Sequence, residues 1–146
     1  MLAKVMMALM PKKQMVKMAT VEFKSKRDIQ AIIKDVEAAC AEYGFALLHH
    51  YNYHEIVAGK GFPIDKKVYI YEVCQAKVAS MMLISNPHFA PFMPCRIAVY
   101  EDGDATIIST QNMQMMIDSI QTQMQLHVEA IGLFSALQEM MKKLKG

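Results

Sequence analysis

The chain has 146 residues, of which 53% are hydrophobic and 21% are charged, and its formal net charge is +2. This length and balance are typical of one globular domain, which we expect to span residues 1–146. The charge excess is small and no basic run alternates with aromatic residues, so we expect no nucleic-acid binding. No apolar run reaches the ~20 residues that a membrane-spanning helix needs, so we expect no transmembrane segment.

The chain contains three cysteines, an odd number. No small-residue cleavage site follows the short apolar start of the sequence, so we expect no signal peptide. A disulfide framework is therefore not predicted, and reduced thiols are the default in the cytoplasm. We expect a cytoplasmic location.

Helical and extended patterns alternate through the first half of the chain. Residues 1–18 predict a helix that is interrupted near Pro11. Residues 19–25 predict a short strand, and residues 26–44 predict a helix whose apolar positions recur every three or four residues. The apolar and aromatic run 45–56 predicts the second strand.

Three more strands are predicted in the second half. The β-branched and aromatic run 68–74 predicts a strand, and residues 75–86 predict a short helix that ends before a proline. Residues 95–100 and 105–110 predict an antiparallel hairpin, because an Asp-Gly pair lies between them.

The C-terminal segment predicts helix, because apolar residues recur at helical spacing from Met113 to Leu144. Gly132 is expected to divide it into two helices. The order helix, β-α-β-β-α-β-β, long helix predicts an α+β fold with a small antiparallel or mixed sheet and helices on one face. The apolar stripe exceeds what one sheet face needs. We therefore expect the helical extensions 1–18 and 113–146 to mediate self-association, most simply as a homodimer.

The thiols are the candidate catalytic groups. Cys40 repeats the apolar spacing of its helix, which predicts a core residue. Cys74 ends a strand directly before a helix, whose N-terminal N–H groups favour a thiolate. Cys95 follows Pro94 at the start of another strand. If these two strands are antiparallel neighbours, Cys74 and Cys95 lie close together; the alternative is that both are small core residues.

Two histidines extend the candidate site toward metal binding. His50 and His54 fall on one face of the predicted strand 45–56. Two imidazoles with Cys74 and Cys95 would be a donor set for zinc, copper or haem iron. The cysteine spacing matches no zinc-finger pattern, so a pair of thiols that binds no metal remains an alternative. The fifteen methionines are interpreted as adaptable core residues rather than copper ligands.

The run YEVCQAKVASMMLISNPHFAPFMPCRIAVYEDGDATIIST, residues 71–110, resembles the family called domain of unknown function 302. Its members tend to have a cysteine at a strand end, then a short helix, then a Pro-Cys pair that opens a strand ending in Tyr-Glu. Here these features are Cys74 and Pro94-Cys95. The resemblance covers roughly residues 19–112. It implies a small α+β unit that tends to dimerise, with Cys74 and Cys95 in one site.

Two departures from the family pattern lie beside the cysteines. Gln75-Ala76 replaces the usual Asn-Pro, so the favourable cap and first turn of the next helix are lost. Arg96 replaces the usual Asn after the second cysteine, and its side chain is expected on the opposite sheet face.

Three functional hypotheses remain from the sequence. The first, suggested by the association of some family members with sulfur-oxidation genes, is reversible thiol, disulfide or persulfide chemistry of small sulfur species at Cys74 and Cys95. The second is a metal- or haem-binding module in which the same cysteines and His50 or His54 are ligands. The third is a structural or interaction protein whose cysteines belong to the core. The sequence identifies no cofactor and does not decide whether the protein is an enzyme.

Overall fold

The computed structural model describes residues 1–146 except for the side chain of Met7. The strands are β1 (Thr20–Ser25), β2 (Ala46–Asn52), β3 (Val68–Cys74), β4 (Cys95–Asp102) and β5 (Ala105–Gln111). The α-helices are α1 (Leu2–Ala8), α2 (Lys12–Met18), α3 (Ile29–Glu42), α4 (Tyr53–Gly59), α5 (Ala76–Ser85), α6 (Gln114–Ser119) and α7 (Met124–Lys145). A 3-10 helix, Pro87–Phe92, connects α5 to β4.

The five strands form one sheet in the order β1-β5-β4-β3-β2, and every pairing is antiparallel. The predicted α+β class and antiparallel sheet are therefore confirmed. The β4–β5 hairpin closes through Gly103 and Asp104, since Asp102 already pairs with Ala105. Gly103 has a φ of +60°, which suits glycine at the first position of such a two-residue turn.

The two faces of the sheet differ in burial, as β3 shows. Its residues Tyr69, Tyr71 and Val73 are buried against the helices, while Ile70 and Glu72 alternate onto the other face. Because strand side chains point alternately to the two sides, one set joins the core formed with α3, α5 and α7. The prediction of helices on one face is confirmed.

Helix α7 corrects two expectations. It continues without interruption past Gly132, and the break in the C-terminal segment lies instead between α6 and α7. Most of the apolar stripe of α7 is buried in its own chain; Leu137, Met140 and Met141 are 0% exposed. The buried part of this stripe needs no second copy, because the sheet and α3 already cover it. Self-association through residues 1–18 and 113–146 stays a prediction.

The C-terminal end of α7 is fixed by side chains from near the start of the fold. The Ser25 hydroxyl donates a hydrogen bond to the carbonyl of Lys145 at 2.6 Å. The Arg27 guanidinium donates to the carbonyl of Leu144 at 2.7 Å and also pairs with Asp35 at 2.6 Å. The last carbonyls of a helix have no partner within it, so these contacts satisfy groups that would otherwise need water.

The predicted strand 45–56 is shorter than expected. Strand β2 ends at Asn52, and the chain turns directly into α4 at Tyr53. The packing of α4 against β2 and β3 overrides the aromatic, strand-like composition of this stretch. His50 and His54 consequently lie on different elements.

The first two helices contribute no buried residue among those whose side chains are described. Leu2, Val5, Leu9 and Val16 are all exposed. Over the described residues, none of the helices has the length and apolarity needed to cross a membrane.

Leu137→Ala should lower the free energy of unfolding by about 2–5 kcal/mol, because it removes a fully buried side chain and leaves a cavity. Val128→Ala in the same helix should change it by no more than about 0.5 kcal/mol, because Val128 is 65% exposed. Urea denaturation of both variants measures the difference. Equal stabilities would contradict the packing of α7 described above.

If the chain forms the expected homodimer, the exposed apolar residues of the segment 1–18 are better placed to mediate it than α7. The triple variant Leu2→Ser, Val5→Ser and Leu9→Ser should then be monomeric in light scattering. The matched control removes three exposed apolar side chains from α7: Met124→Ser, Val128→Ser and Ile131→Ser. It should remain dimeric. Dissociation of the control alone would assign the interface to the C-terminal helix, and a monomeric unmodified chain would contradict the dimer itself.

Candidate functional site

Cys74 and Cys95 border a single cavity of about 280 Å³. The cavity lies where β3 ends and β4 begins, under the 3-10 helix and beside α5 and α7. Val78, Phe89 and Leu133 are among the residues that line it. The two cysteines that the sequence analysis singled out are thus brought to one place by the adjacency of β3 and β4.

The strand register fixes how far apart the two cysteines are. Val73 lies directly opposite Cys95, and Cys74 is the next residue along β3. With ordinary ladder spacing, this offset corresponds to Cα atoms roughly 6 Å apart. Disulfides form across Cα separations of about 4.4–6.8 Å. Both cysteines are free thiols, and their Cα separation is short enough for a disulfide bond to form between them.

Strict strand alternation would point Cys74 and Cys95 to opposite faces of the sheet. Cys95 shares the buried face with Val73, whereas Cys74 has the parity of Glu72. Cys74 is, however, the last residue of its strand, and the chain leaves the sheet through Gln75 into α5. This departure from the sheet lets Cys74 border the same cavity as Cys95.

The cavity wall makes Cys95 a poor acid. Burial raises the pKa of the Cys95 thiol to about 11, and the negative charge of a Cys74 thiolate contributes to that increase. At neutral pH Cys95 is therefore a protonated thiol. Cys40 is 1% exposed in the core, and burial raises its pKa too, which agrees with its predicted core role.

The surroundings supply little positive charge to the thiols. Gln75 occupies the N-cap position of α5 but makes no side-chain capping bond, as its departure from the family motif suggested. Arg96 lies on the far face of the sheet, where its guanidinium is 3.7 Å from Glu72, and the Tyr51 hydroxyl donates to the same carboxylate at 2.6 Å. Within the described part of the chain, no charged side chain lines the cavity.

The histidines are not brought to the thiols. The Val68 N–H donates to Nδ1 of His54 at 3.1 Å, at the start of β3. Val68 is six residue steps along β3 from Cys74, a distance of about 20 Å. His50 is exposed on β2 and outside the cavity wall. The predicted Cys/His metal site is therefore not formed, and the residues described contain no group of three or more His, Cys, Asp or Glu side chains suited to a metal.

The cavity wall also contains residues that the sequence analysis assigned only to the core. Four methionines line it: Met82, Met93, Met113 and Met116. They come from α5, the segment before β4, the segment after β5 and α6. Nothing in their sequence spacing indicates a common location, because they converge only through the packing of these segments.

Cys74 should be the fastest thiol to react with iodoacetamide near neutral pH, because burial keeps Cys40 and Cys95 protonated. The rate at Cys95 should rise about tenfold per pH unit and level off only near pH 11, as its thiolate fraction grows. Peptide mass spectrometry over a pH series measures each rate. Fastest labelling of Cys40, or a pH-independent rate at Cys95, would contradict this ranking.

Comparison with known proteins identifies the family but no activity. The sequence model described as "Domain of unknown function DUF302" matches residues 21–144, which include α7 as well as the segment that carries the cysteines. The crystal structure of uncharacterized conserved protein DUF302 from Bacillus stearothermophilus superposes with a TM-score of 0.76 at 21% identity, over 87% of this chain and 98% of that one. No curated protein matches the chain. The chain belongs to the DUF302 family.

Proposed function

We propose that the protein performs reversible thiol–disulfide exchange with small sulfur compounds, using Cys74 and Cys95 as the reacting pair. The observation that carries this proposal is that two free thiols, one position apart across the β3–β4 ladder, border one small apolar cavity. The separation of their Cα atoms is short enough for a disulfide to form between them within one chain. The third cysteine, Cys40, is buried in α3 and takes no part.

The exchange proceeds in two balanced steps. The thiolate of Cys74 attacks one sulfur of a small disulfide, the S–S bond of that compound breaks, and the leaving thiolate takes up a proton. Cys95 then loses its proton and attacks the Cys74 sulfur of the mixed disulfide, which expels the second small thiol. The protein is oxidised by the loss of two hydrogen atoms, and the small disulfide is reduced to two thiols.

The high pKa of Cys95 indicates which of the two thiols attacks the small disulfide first. A thiol must be deprotonated to act as a nucleophile, and Cys95, with a pKa of about 11, is almost fully protonated at neutral pH. Cys74 is therefore the first nucleophile and Cys95 the resolving thiol. The resolving step is intramolecular, and the high effective concentration of a neighbouring group offsets the small thiolate fraction of Cys95.

The cavity wall defines the class of sulfur compound. Gln75 is the only residue in the described wall with an amide or charged side chain, and the rest are apolar or contain sulfur. Moving an ion into such a site without a partner is costly, so uncharged disulfides should react faster than charged ones. A neutral hydropersulfide, RSSH, is a second substrate of this class: the Cys74 thiolate attacks its outer sulfur, its S–S bond breaks, the remaining thiolate leaves and takes up a proton as RSH, and Cys74 becomes a persulfide.

Binding of a small apolar ligand without chemistry is a second candidate function. It is favoured by the size and apolar wall of the cavity, because pockets of about 300 Å³ and upward with few polar groups are typical ligand sites. Under this alternative the thiols would be part of the wall, and Cys74→Ser would still bind the ligand.

Oxidation of the reduced protein by hydroxyethyl disulfide, an uncharged compound, tests the exchange. Intact mass spectrometry should show a loss of two hydrogen atoms, and peptide mapping should join Cys74 to Cys95. Cys95→Ser should stop at a mixed disulfide on Cys74, because no resolving thiol is present. Cys74→Ser should give no such adduct on the same time scale.

Cys40→Ser is the matched control, because it removes one thiol outside the cavity. It should form the Cys74–Cys95 bond as the unmodified protein does. A mixed disulfide that persists in the unmodified protein, or a bond that involves Cys40, would contradict the proposed pair. Glutathione disulfide, which is charged, should react more slowly than hydroxyethyl disulfide; equal rates would show that the apolar wall does not select the substrate.

A further inference from the structure

The cavity at the end of β3 is lined by an unusual concentration of sulfur. Six of its lining side chains contain a sulfur atom: Cys74, Cys95, Met82, Met93, Met113 and Met116. The same wall, over the residues that the structure describes, contributes no imidazole and no carboxylate. The donors that the cavity can offer to a bound species are therefore almost entirely thiols and thioethers.

Such a donor set has a strong chemical preference. Soft sulfur ligands suit copper(I), zinc and iron–sulfur clusters, whereas oxygen ligands suit magnesium and calcium. Structural zinc sites and iron–sulfur clusters generally take four cysteine or histidine ligands, and this wall has two cysteines with four thioethers, which favours copper(I). We propose that this cavity is a copper(I) site in which Cys74 and Cys95 are the principal ligands and the methionine thioethers complete the coordination.

The position of the two cysteines supports this assignment. Their offset of one residue across the β3–β4 ladder is short, and both cysteines border the same cavity, so a single ion there could be shared by the two thiols. The wall around them comes from α5, α6, α7 and the 3-10 helix and is mostly apolar, so it offers the ion few competing polar ligands. Two thiolates around Cu⁺ leave one net negative charge, which the peptide dipoles and the polarisable thioethers have to accommodate.

The methionines separate this inference from the proposed exchange reaction. Thiol–disulfide exchange uses the two cysteines alone, and a leucine in place of a wall methionine leaves its chemistry intact. Copper(I) binding would use the thioethers as well. The same cysteines serve both functions, so a copper(I) ion would block the thiols from disulfide exchange.

Anaerobic titration of the reduced protein with copper(I), in competition with a coloured copper(I) chelator, tests the site. We expect one copper(I) ion per chain, with the ultraviolet absorption of copper–thiolate bonds. Cys74→Ser and Cys95→Ser should each weaken binding by about 100-fold or more, since loss of even an outer-shell partner of a metal ligand costs about 10–100-fold. Cys40→Ser should have no effect. Affinity should also rise with pH, because binding displaces the thiol protons.

A methionine comparison supplies the decisive control. The test variant combines Met82→Leu, Met93→Leu, Met113→Leu and Met116→Leu. The matched control makes the same change at four exposed positions: Met15→Leu, Met18→Leu, Met115→Leu and Met124→Leu. The test variant should bind copper(I) about tenfold more weakly than the unmodified protein, in the range of a supporting ligand. The control should bind as the unmodified protein does.

Exchange of methionine for leucine costs little packing energy, and circular dichroism checks that the test variant is folded. If the fourfold variant does not fold, a triple variant that retains the buried Met82 takes its place. Equal affinity in the test and control variants would overturn the thioether assignment, and absence of stoichiometric binding would overturn the site. If copper(I) does not bind while hydroxyethyl disulfide still joins Cys74 to Cys95, this inference fails and the exchange function stands. If copper(I) binds but no Cys74–Cys95 disulfide forms, the exchange function fails and this inference stands.

Discussion

The packing of α7 across the sheet is the contact on which the rest of the structure depends. Its buried face packs against β1 and β5 of the sheet and against α3, and Leu137 and Met140 are fully buried. Ser25 and Arg27 fix its C-terminal carbonyls to the beginning of the fold. Near its middle the same helix forms part of the cavity wall through Leu133. One helix therefore completes the core and forms one wall of the site.

The chemistry of the site follows from its place at the edge of this core. Cys95 begins a strand on the buried face, so its thiol is removed from water and its pKa rises to about 11. Cys74 ends the neighbouring strand, where the chain leaves the sheet. The two thiols are chemically different because one belongs to a regular strand face and the other to a strand end. In the exchange that we propose, this difference would let Cys74 attack and Cys95 resolve.

Local patterns predicted much of the fold. The bounds of the strand 68–74 were correct, because a β-branched and aromatic run has few other stable conformations. The β4–β5 hairpin followed from turn chemistry that needs only adjacent residues. The helix α4 was missed, since its seven residues have an aromatic, strand-like composition and gain their stability from β2 and β3. Gly132 did not break α7, because the packing of that helix outweighs the modest helix cost of one glycine.

The sequence by itself determined the fold class, the family resemblance and the choice of Cys74 and Cys95 as the thiols of interest, because each depends on residues close together in the chain. Only the tertiary structure decided what surrounds them. It separated His54 from the thiols by ending β2 at Asn52, and it gathered four methionines from separate segments around one cavity. Periodicity reports which face of an element is buried, but not which buried faces meet. That is set by the simultaneous packing of helices and sheet, which no local pattern contains.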